Sequence, residues 1–391
     1  MLSLLLAIIY LAFISLGLPD SLLGSAWPVM RLDFGAELSF AGVISMIIAA
    51  GTIVSSLLSE RMTRRLGTAL VTAISVAMTA AALFGFSLCS SPIQLCLWAI
   101  PYGLGAGAID AALNNFVALH YSSRHMSWLH CFWGVGASIS PYIMSAALTR
   151  SGSWQTGYRT VGVIQVVLTA LLFLSLPLWK AVKSKDDAEN GDAPPLLGLR
   201  GALRISGVPL ILIAFCAYCG GETTAGLWAS SYLVGARGIA PETAASFASL
   251  FYLGITFGRF LNGFVADRMG DRRMIRVGIA VMALGVVLIL LPFRNDLFSL
   301  AGLVIFGLGC APVYPSIIHS TPANFGKENS QAIIGVQMAS AYVGSTFMPP
   351  LFGLIAQHLS LKLFPIYLAL LLFALLLMTE GLNRLKDRER S

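Results

Sequence analysis

Twelve stretches of about 20 mostly apolar residues run through this chain, and each is long enough to cross a bilayer as a helix. They cover 2–30, 39–59, 66–88, 92–119, 126–149, 157–179, 205–234, 243–265, 274–292, 297–318, 330–356 and 361–381, numbered here segments 1 to 12. Hydrocarbon offers no partner to a backbone N–H or C=O, so such stretches must satisfy themselves as helices. Several contain Gly or Pro, which membrane helices tolerate. Only 11% of the residues are charged, against about 25% in a soluble domain. The expected fold class is therefore an all-α polytopic membrane protein with 12 transmembrane helices. Segment 1 lacks a basic leader and is too long for a signal peptide core, so it is expected to stay as a membrane helix.

The loops set an orientation. Counting along the alternating loops, 18 Lys and Arg fall on the side that carries both termini and six on the other, with Arg259 inside segment 8. Basic loops stay in the cytoplasm, so both termini are expected there, in a plasma (inner) membrane. The same bias accounts for the +7 net charge without any nucleic acid. One long polar loop, running from Lys183 through Asp186, Asp187 and Glu189 to Pro195, divides the segments into two sets of six. Its composition reads as a partly disordered linker. The expected parts are an N-terminal six-helix bundle over 1–180, a linker over 181–204 and a C-terminal six-helix bundle over 205–391.

The two sets repeat. At an offset of 207, Ser39-Phe40-Ala41 matches Ser246-Phe247-Ala248, Gly51 matches Gly258, Glu60-Arg61-Met62 matches Asp267-Arg268-Met269, and Arg65 matches Arg272. At an offset of 202, Asp20 matches Glu222 and Gly24 matches Gly226, each ahead of a Trp. Two parallel six-helix repeats joined by a cytoplasmic loop are the plan of a secondary transporter.

Three carboxylates lie well inside apolar segments: Asp20 in segment 1, Asp110 in segment 4 and Glu222 in segment 7. A charge at mid-bilayer costs at least ~2.5–3.5 kcal/mol on insertion scales, so such groups face a partner or a water-filled cavity. Asp110 stands in Gly103-Leu-Gly-Ala-Gly-Ala-Ile-Asp-Ala-Ala-Leu-Asn-Asn115, with two amides just beyond it. Desolvation favours the neutral form of a buried carboxyl, which lets it carry a proton. The proton is thus the expected coupling ion, and Na⁺ is the alternative that carboxylates also admit. Other readings stand beside these. Asp110 can bond Asn114 one turn on, Asp20 can cap amides at a kink after Pro19, and Glu222 can pair with Arg259 in a structural role. His130 can shuttle protons or simply pack.

No phosphate-cradling Gly–Lys loop is present, so ATP is not the expected energy source. The His and Cys spacings fit no zinc site. Cys216-x-x-Cys219 lies in an apolar segment and reads as a pair of small packing residues. Neither an enzyme nor a cofactor is expected, and the chain is expected to act as a monomer in the lipid bilayer.

The loop after segment 8, Gly263-Phe-Val-Ala-Asp267-Arg268-Met-Gly270-Asp-Arg272-Arg273, resembles the signature G-x-x-x-D-R-x-G-R-[RK] of the major facilitator superfamily. A weaker copy spans Ser56–Arg65, with Glu60 for the Asp, Arg61 following it, and Thr63 in place of the second Gly. The resemblance implies that the acid caps a neighbouring helix and pairs with an Arg to steady one conformation. That makes Glu60, Arg61, Arg65, Gly263, Asp267, Arg268, Gly270, Arg272 and Arg259 the expected gating residues. Within the superfamily, four stretches resemble the fucose–proton symporter-like branch: Leu16-Gly-Leu-Pro-Asp20, Leu129-His130-Cys-Phe-Trp133-Gly-Val-Gly136, Tyr218-Cys-Gly-Gly-Glu222 and Gly309-Cys-Ala-Pro-Val-Tyr314-Pro.

That resemblance implies helices 1, 4, 7 and 10 around a central cavity, with Asp20, Asp110 and Glu222 as the proton-coupling set. A sugar needs several hydrogen-bonding groups and an aromatic platform. The candidates are Asn114, Asn115, His130, Trp133, Trp228, Tyr314 and Gln337. The expected function is proton-coupled symport of a monosaccharide or related small polar solute by alternating access. The competing expectation is a proton-driven drug or metabolite exporter.

Overall fold

The computed structural model describes residues 2–37, 40–179, 196–239, 241–291 and 296–390, and the regular elements among them are all helical. Eleven of these helices are long and apolar enough to cross a membrane. A further helix of 29 residues, Pro241–Met269, stands at segment 8. With it, the twelve segments read from the sequence are all helical.

Segment 1 forms two helices, α1 (Leu2–Asp20) and α2 (Leu22–Asp33), interrupted at Ser21. Segments 2 to 6 form α3 (Phe40–Leu66), α4 (Thr68–Leu88), α5 (Pro92–His120), α6 (Ser123–Ser151) and α7 (Trp154–Leu174). A short α8 (Gly198–Arg204) precedes the second set: α9 (Val208–Arg237), α10 (Pro241–Met269), α11 (Asp271–Leu290) and α12 (Leu297–His319). A five-residue α13 (Thr321–Phe325) then leads to α14 (Lys327–His358) and α15 (Phe364–Arg390). Two helices outrun their apolar segments furthest. α3 continues from 59 to Leu66, and α15 from 381 to Arg390. Leaving hydrocarbon removes the need for a helix but supplies no reason to end one.

The prolines organise the packing of α1. A helical proline leaves the carbonyl four residues earlier without its donor. Pro19 does this to Ser15, and the Gln165 amide on α7 donates to the Ser15 carbonyl at 2.5 Å, while the Ser15 hydroxyl donates to Gln165 Oε1 at 2.6 Å. Pro141 does it to Ala137 on α6, and the Ser21 hydroxyl donates to the Ala137 carbonyl at 2.5 Å. Each freed carbonyl thus becomes a tie between helices.

Glycines then let backbones touch. A Cβ on Gly17 would fall on the Trp133 carbonyl of α6, and one on Gly136 would fall on the Ile14 carbonyl of α1. This reciprocal contact brings Asp20 beside Trp133. Gly103 and Gly107 do the same for α5 against α3, where a Cβ would meet the carbonyls of Ile48 and Thr52. In return the Thr52 hydroxyl donates to the Gly103 carbonyl at 3.2 Å and the Ser56 hydroxyl to that of Gly107 at 3.3 Å. Small residues four apart commonly permit such contact between membrane helices. Because the obstacle is backbone, Gly107→Val cannot be relieved by a rotamer change. It is expected to cost at least ~1–3 kcal/mol and to lower the fraction of detergent-extracted protein that elutes as a monodisperse peak, whereas Gly24→Ala, which meets open space, leaves that fraction unchanged.

The chain separates into two compact units: residues 1–116 with 129–198, and residues 117–128 with 199–391. The division falls between Gly198 and Leu199, inside the expected 181–204 linker. Residues 180–195, on which the expected disorder rested, lie outside the described residues. Segment 117–128, which the sequence places in the N-terminal bundle, packs within the second unit.

The repeat also shifts at the loops. Gly270 begins α11 with φ +76° and ψ 156°, and Gly67 begins α4 with φ +78° and ψ 154°. This positive-φ conformation favours glycine, so the structural partner of Gly270 is Gly67 rather than Thr63. Asp267 stands three residues before its glycine and Glu60 seven before its own. The four-residue difference is about one helical turn.

Candidate functional site

Unit 1 holds two carboxylate clusters on shared helices. Asp20, the last residue of α1, accepts from the Tyr102 hydroxyl of α5 at 2.9 Å and from the Trp133 indole N–H of α6 at 2.8 Å. Both oxygens are therefore held by side chains rather than by backbone amides. Hydrogen bonds to a charged group are worth about 1.5–3 kcal/mol each. Asp20 is also exposed. Within an apolar span, a carboxylate persists in that state only where water or a polar partner reaches it.

Asp110 differs. It is 4% exposed and lies eight residues beyond Tyr102 on α5, about 12 Å along the helix. The Asn114 amide donates both to the Asp110 carbonyl at 3.0 Å and to its Oδ1 at 2.8 Å. His130 of α6 then lies with Nε2 at 3.0 Å from Asn114 Oδ1. Since that oxygen only accepts, Nε2 is the donor, and a directed chain runs from His130 through Asn114 to Asp110. Phe13 meets the His130 ring edge-on at 5.4 Å. Asn115 is buried as well, at about 100° further round α5.

Unit 2 holds the third acid. Glu222 on α9 accepts from the Tyr218 hydroxyl one turn earlier and lies 3.7 Å from Arg259 Nη2 of α10. The Tyr218 hydroxyl also lies 2.8 Å from the Cys310 carbonyl of α12. Arg259, 3% exposed, sits 5.8 Å over the Tyr314 ring, which packs on Phe215 at 4.7 Å. Glu222 and Arg259 are thus neighbours set among aromatics, a geometry that serves a coupling carboxylate and a structural pair alike. Two expected sugar contacts have other occupations. The Trp228 indole donates to the Pro349 carbonyl at 2.9 Å, and Gln337 accepts from Thr321 at 3.0 Å while fully buried.

The signature loop acts on α6. Asp267 accepts from the Ser122 hydroxyl at 3.1 Å and the Arg124 amide at 3.0 Å, and pairs with the Arg124 side chain. It thus caps the first turn of α6. Burial pushes this carboxyl up, but the bonds from the Arg124 amide and side chain and from Ser122 outweigh that and leave it below its ordinary value. The ion pair is partly exposed, so the cap contributes more than the charge contact. A Cβ on Gly263 would fall on the Trp128 indole, so this glycine is needed for α10 to meet α6. Arg268 is exposed, and Arg272 pairs with Asp387 at 2.6 Å.

Glu60, a turn deeper, caps something else. It accepts from the Leu197 and Gly198 amides at 2.7 and 2.8 Å, at the start of α8. Arg61 and Arg65 are exposed on the last turns of α3. Tyr102, Tyr218 and Arg124 were not singled out from the sequence. Tyr102 carried a usable signal, since it lies two turns from Asp110 and so on the same face of α5.

The Major Facilitator Superfamily model matches residues 9–240 and 210–390. The chain belongs to the major facilitator superfamily. It is a transporter and not an enzyme. A glucose/mannose transporter of Bacillus subtilis is 23% identical over 321 residues, 78% of this chain and 77% of the relative. A probable nitrate/nitrite antiporter of Thermus thermophilus is 24% identical over 389 residues, 91% and 86% of the two chains. The crystal structure of the E. coli fucose:proton symporter in an outward conformation superposes with a TM-score of 0.74 at 14% identity, covering 96% of this chain and 98% of that one. At that identity the likeness concerns the fold alone.

Proposed function

We propose that the chain is a proton-coupled symporter of a monosaccharide or a related small polar solute. It would work by alternating access in the plasma (inner) membrane, with both termini in the cytoplasm, as a monomer and without a cofactor. The observation that carries this reading is the pair of clusters in unit 1. One acid is exposed and braced by Tyr102 and Trp133, and the other is buried on a chain to His130. The exposed acid, with a tyrosine and a tryptophan beside it, has the polar and aromatic groups that a sugar ring requires. The buried acid can hold or release a proton as its surroundings change. Glu222 is the third candidate carrier. The names of the glucose/mannose and fucose:proton relatives support a sugar, and the basic bias of the loops supports the orientation.

Counterflow in proteoliposomes against a panel of sugars tests the substrate class. Repeating uptake with a pH gradient, and separately with a sodium gradient, tests the coupling ion. Sugar-dependent exchange with accumulation driven by the pH gradient is expected. No sugar response across the panel overturns the substrate assignment, and accumulation driven only by sodium overturns the proton.

A further inference from the structure

A cluster on the termini side of unit 2 holds four consecutive residues, Tyr121 to Arg124, by their polar groups. Asp267 takes the Ser122 hydroxyl and the Arg124 amide. Asp271, the first residue of α11, takes the Ser123 hydroxyl at 2.7 Å. His319, the last residue of α12, lies between Asp271 and the turn. Its Nδ1 is 2.7 Å from Asp271 Oδ2, and its Nε2 is 3.1 Å from the Tyr121 carbonyl oxygen.

The protons can be counted. A carbonyl oxygen only accepts, so Nε2 must carry a hydrogen. A carboxylate only accepts, so Nδ1 must carry one too. Asp271 opens α11, and the N-terminal end of a helix dipole accommodates an anion. The arrangement therefore requires an imidazolium. A neutral ring has one N–H, and the carboxylate holds it at Nδ1. Nε2 would then turn a lone pair toward the Tyr121 carbonyl, and that tie becomes a repulsion.

We propose that His319 is a proton-operated clasp, which as imidazolium ties the Tyr121 carbonyl to Asp271 and on losing its proton releases the turn between α5 and α6. The charged groups around the ring are Asp271 of α11 and Asp267 of α10, with Arg124 of α6 bound to Asp267 and His125 of α6 in the field of both Arg124 and Asp267. Histidine is the side chain whose ordinary titration lies between pH 5 and 8. The clasp is closed in acid and opens as the pH on the termini side rises. Any step of the transport cycle that draws 117–128 from the rest of unit 2 must break it, so this pH sets the ease of that step independently of the protons carried with substrate.

The test uses the purified full-length protein in nanodiscs and needs no substrate. Ring ¹⁵N spectra of histidine-labelled protein, assigned by loss of a signal in His319→Gln, report the two nitrogens directly. Hydrogen exchange of the amides of 121–125, corrected for intrinsic rates, reports the turn. A doubly protonated His319 in acid is expected, with protection that falls at least about tenfold as the ring loses its proton, the lower end of one lost bond to a charged group. His319→Ala should exchange fast at every pH, and His319→Lys, which keeps charge and donors, should stay protected at high pH. A ring that is neutral throughout, or protection in the wild type that does not follow its titration, overturns the clasp. Both outcomes are read on the wild type, and the ring signal can be assigned by its loss in either His319→Gln or His319→Lys, so the test stands even if one variant fails to fold.

Discussion

Asp110→Asn is expected to abolish uptake driven by a pH gradient while leaving counterflow of the same sugar in place. The substitution is close to isosteric where it matters. Asp110 Oδ1 accepts from the Asn114 amide, and an asparagine oxygen can accept that bond, so the chain to His130 survives. What disappears is the group that can hold a proton. A gradient of two pH units sustains about 100-fold accumulation with one proton per solute, at about 1.4 kcal/mol for each tenfold step. The variant should equilibrate instead, with no accumulation. Full gradient-driven uptake would remove Asp110 from the coupling. Loss of counterflow as well would show that Asp110 serves the substrate rather than the proton. The same substitution at Asp20 is a poorer test. Both Asp20 oxygens accept from donors, Tyr102 and Trp133. An asparagine would set its own N–H₂ against one of them and disturb geometry and charge together.

The apolar segments and the place of each were legible because a membrane imposes one apolar run per crossing, whereas the break of segment 1 at Ser21 and the short α8 and α13 were not. The acids were legible too, since a carboxylate in such a run stands out by its cost. Their partners were harder to read. The spacing of Tyr102 from Asp110 was legible, but its bond to Asp20 depends on how α1 and α5 pack, which no spacing along α5 contains. His319 sits one residue past the end of an apolar segment, and its partners come from residues 48 and 198 positions away. Glu60 shows the opposite case. Its likeness to Asp267 was visible at fixed offset, but α3 runs a turn longer than α10 beyond the acid. Motif position therefore survived while its target changed from α6 to the start of α8. Local chemistry is written in sequence spacing, whereas which surface it meets depends on helix length and on helices far away in the chain.

That limit bears most on Glu222, where a structural and a coupling role share one geometry. Arg259 is almost fully buried, and Glu222 is the carboxylate paired with it. Removing one partner of a buried pair leaves the other charge uncompensated and costs about 3–5 kcal/mol, whereas removing both can be nearly neutral. Glu222→Gln and Arg259→Met should each lower the thermal midpoint in detergent strongly, and the double variant should recover most of the loss. Simple addition of the two single losses would show that the pair does not act as a unit. The double variant then separates the roles, since it restores packing without restoring a carboxylate. If it accumulates sugar under a pH gradient like the wild type, Glu222 is structural and the proton belongs to unit 1. If it is stable yet gives only counterflow, Glu222 carries a proton that Asp20 and Asp110 do not replace, and Arg259 is the cation that sets when it is released.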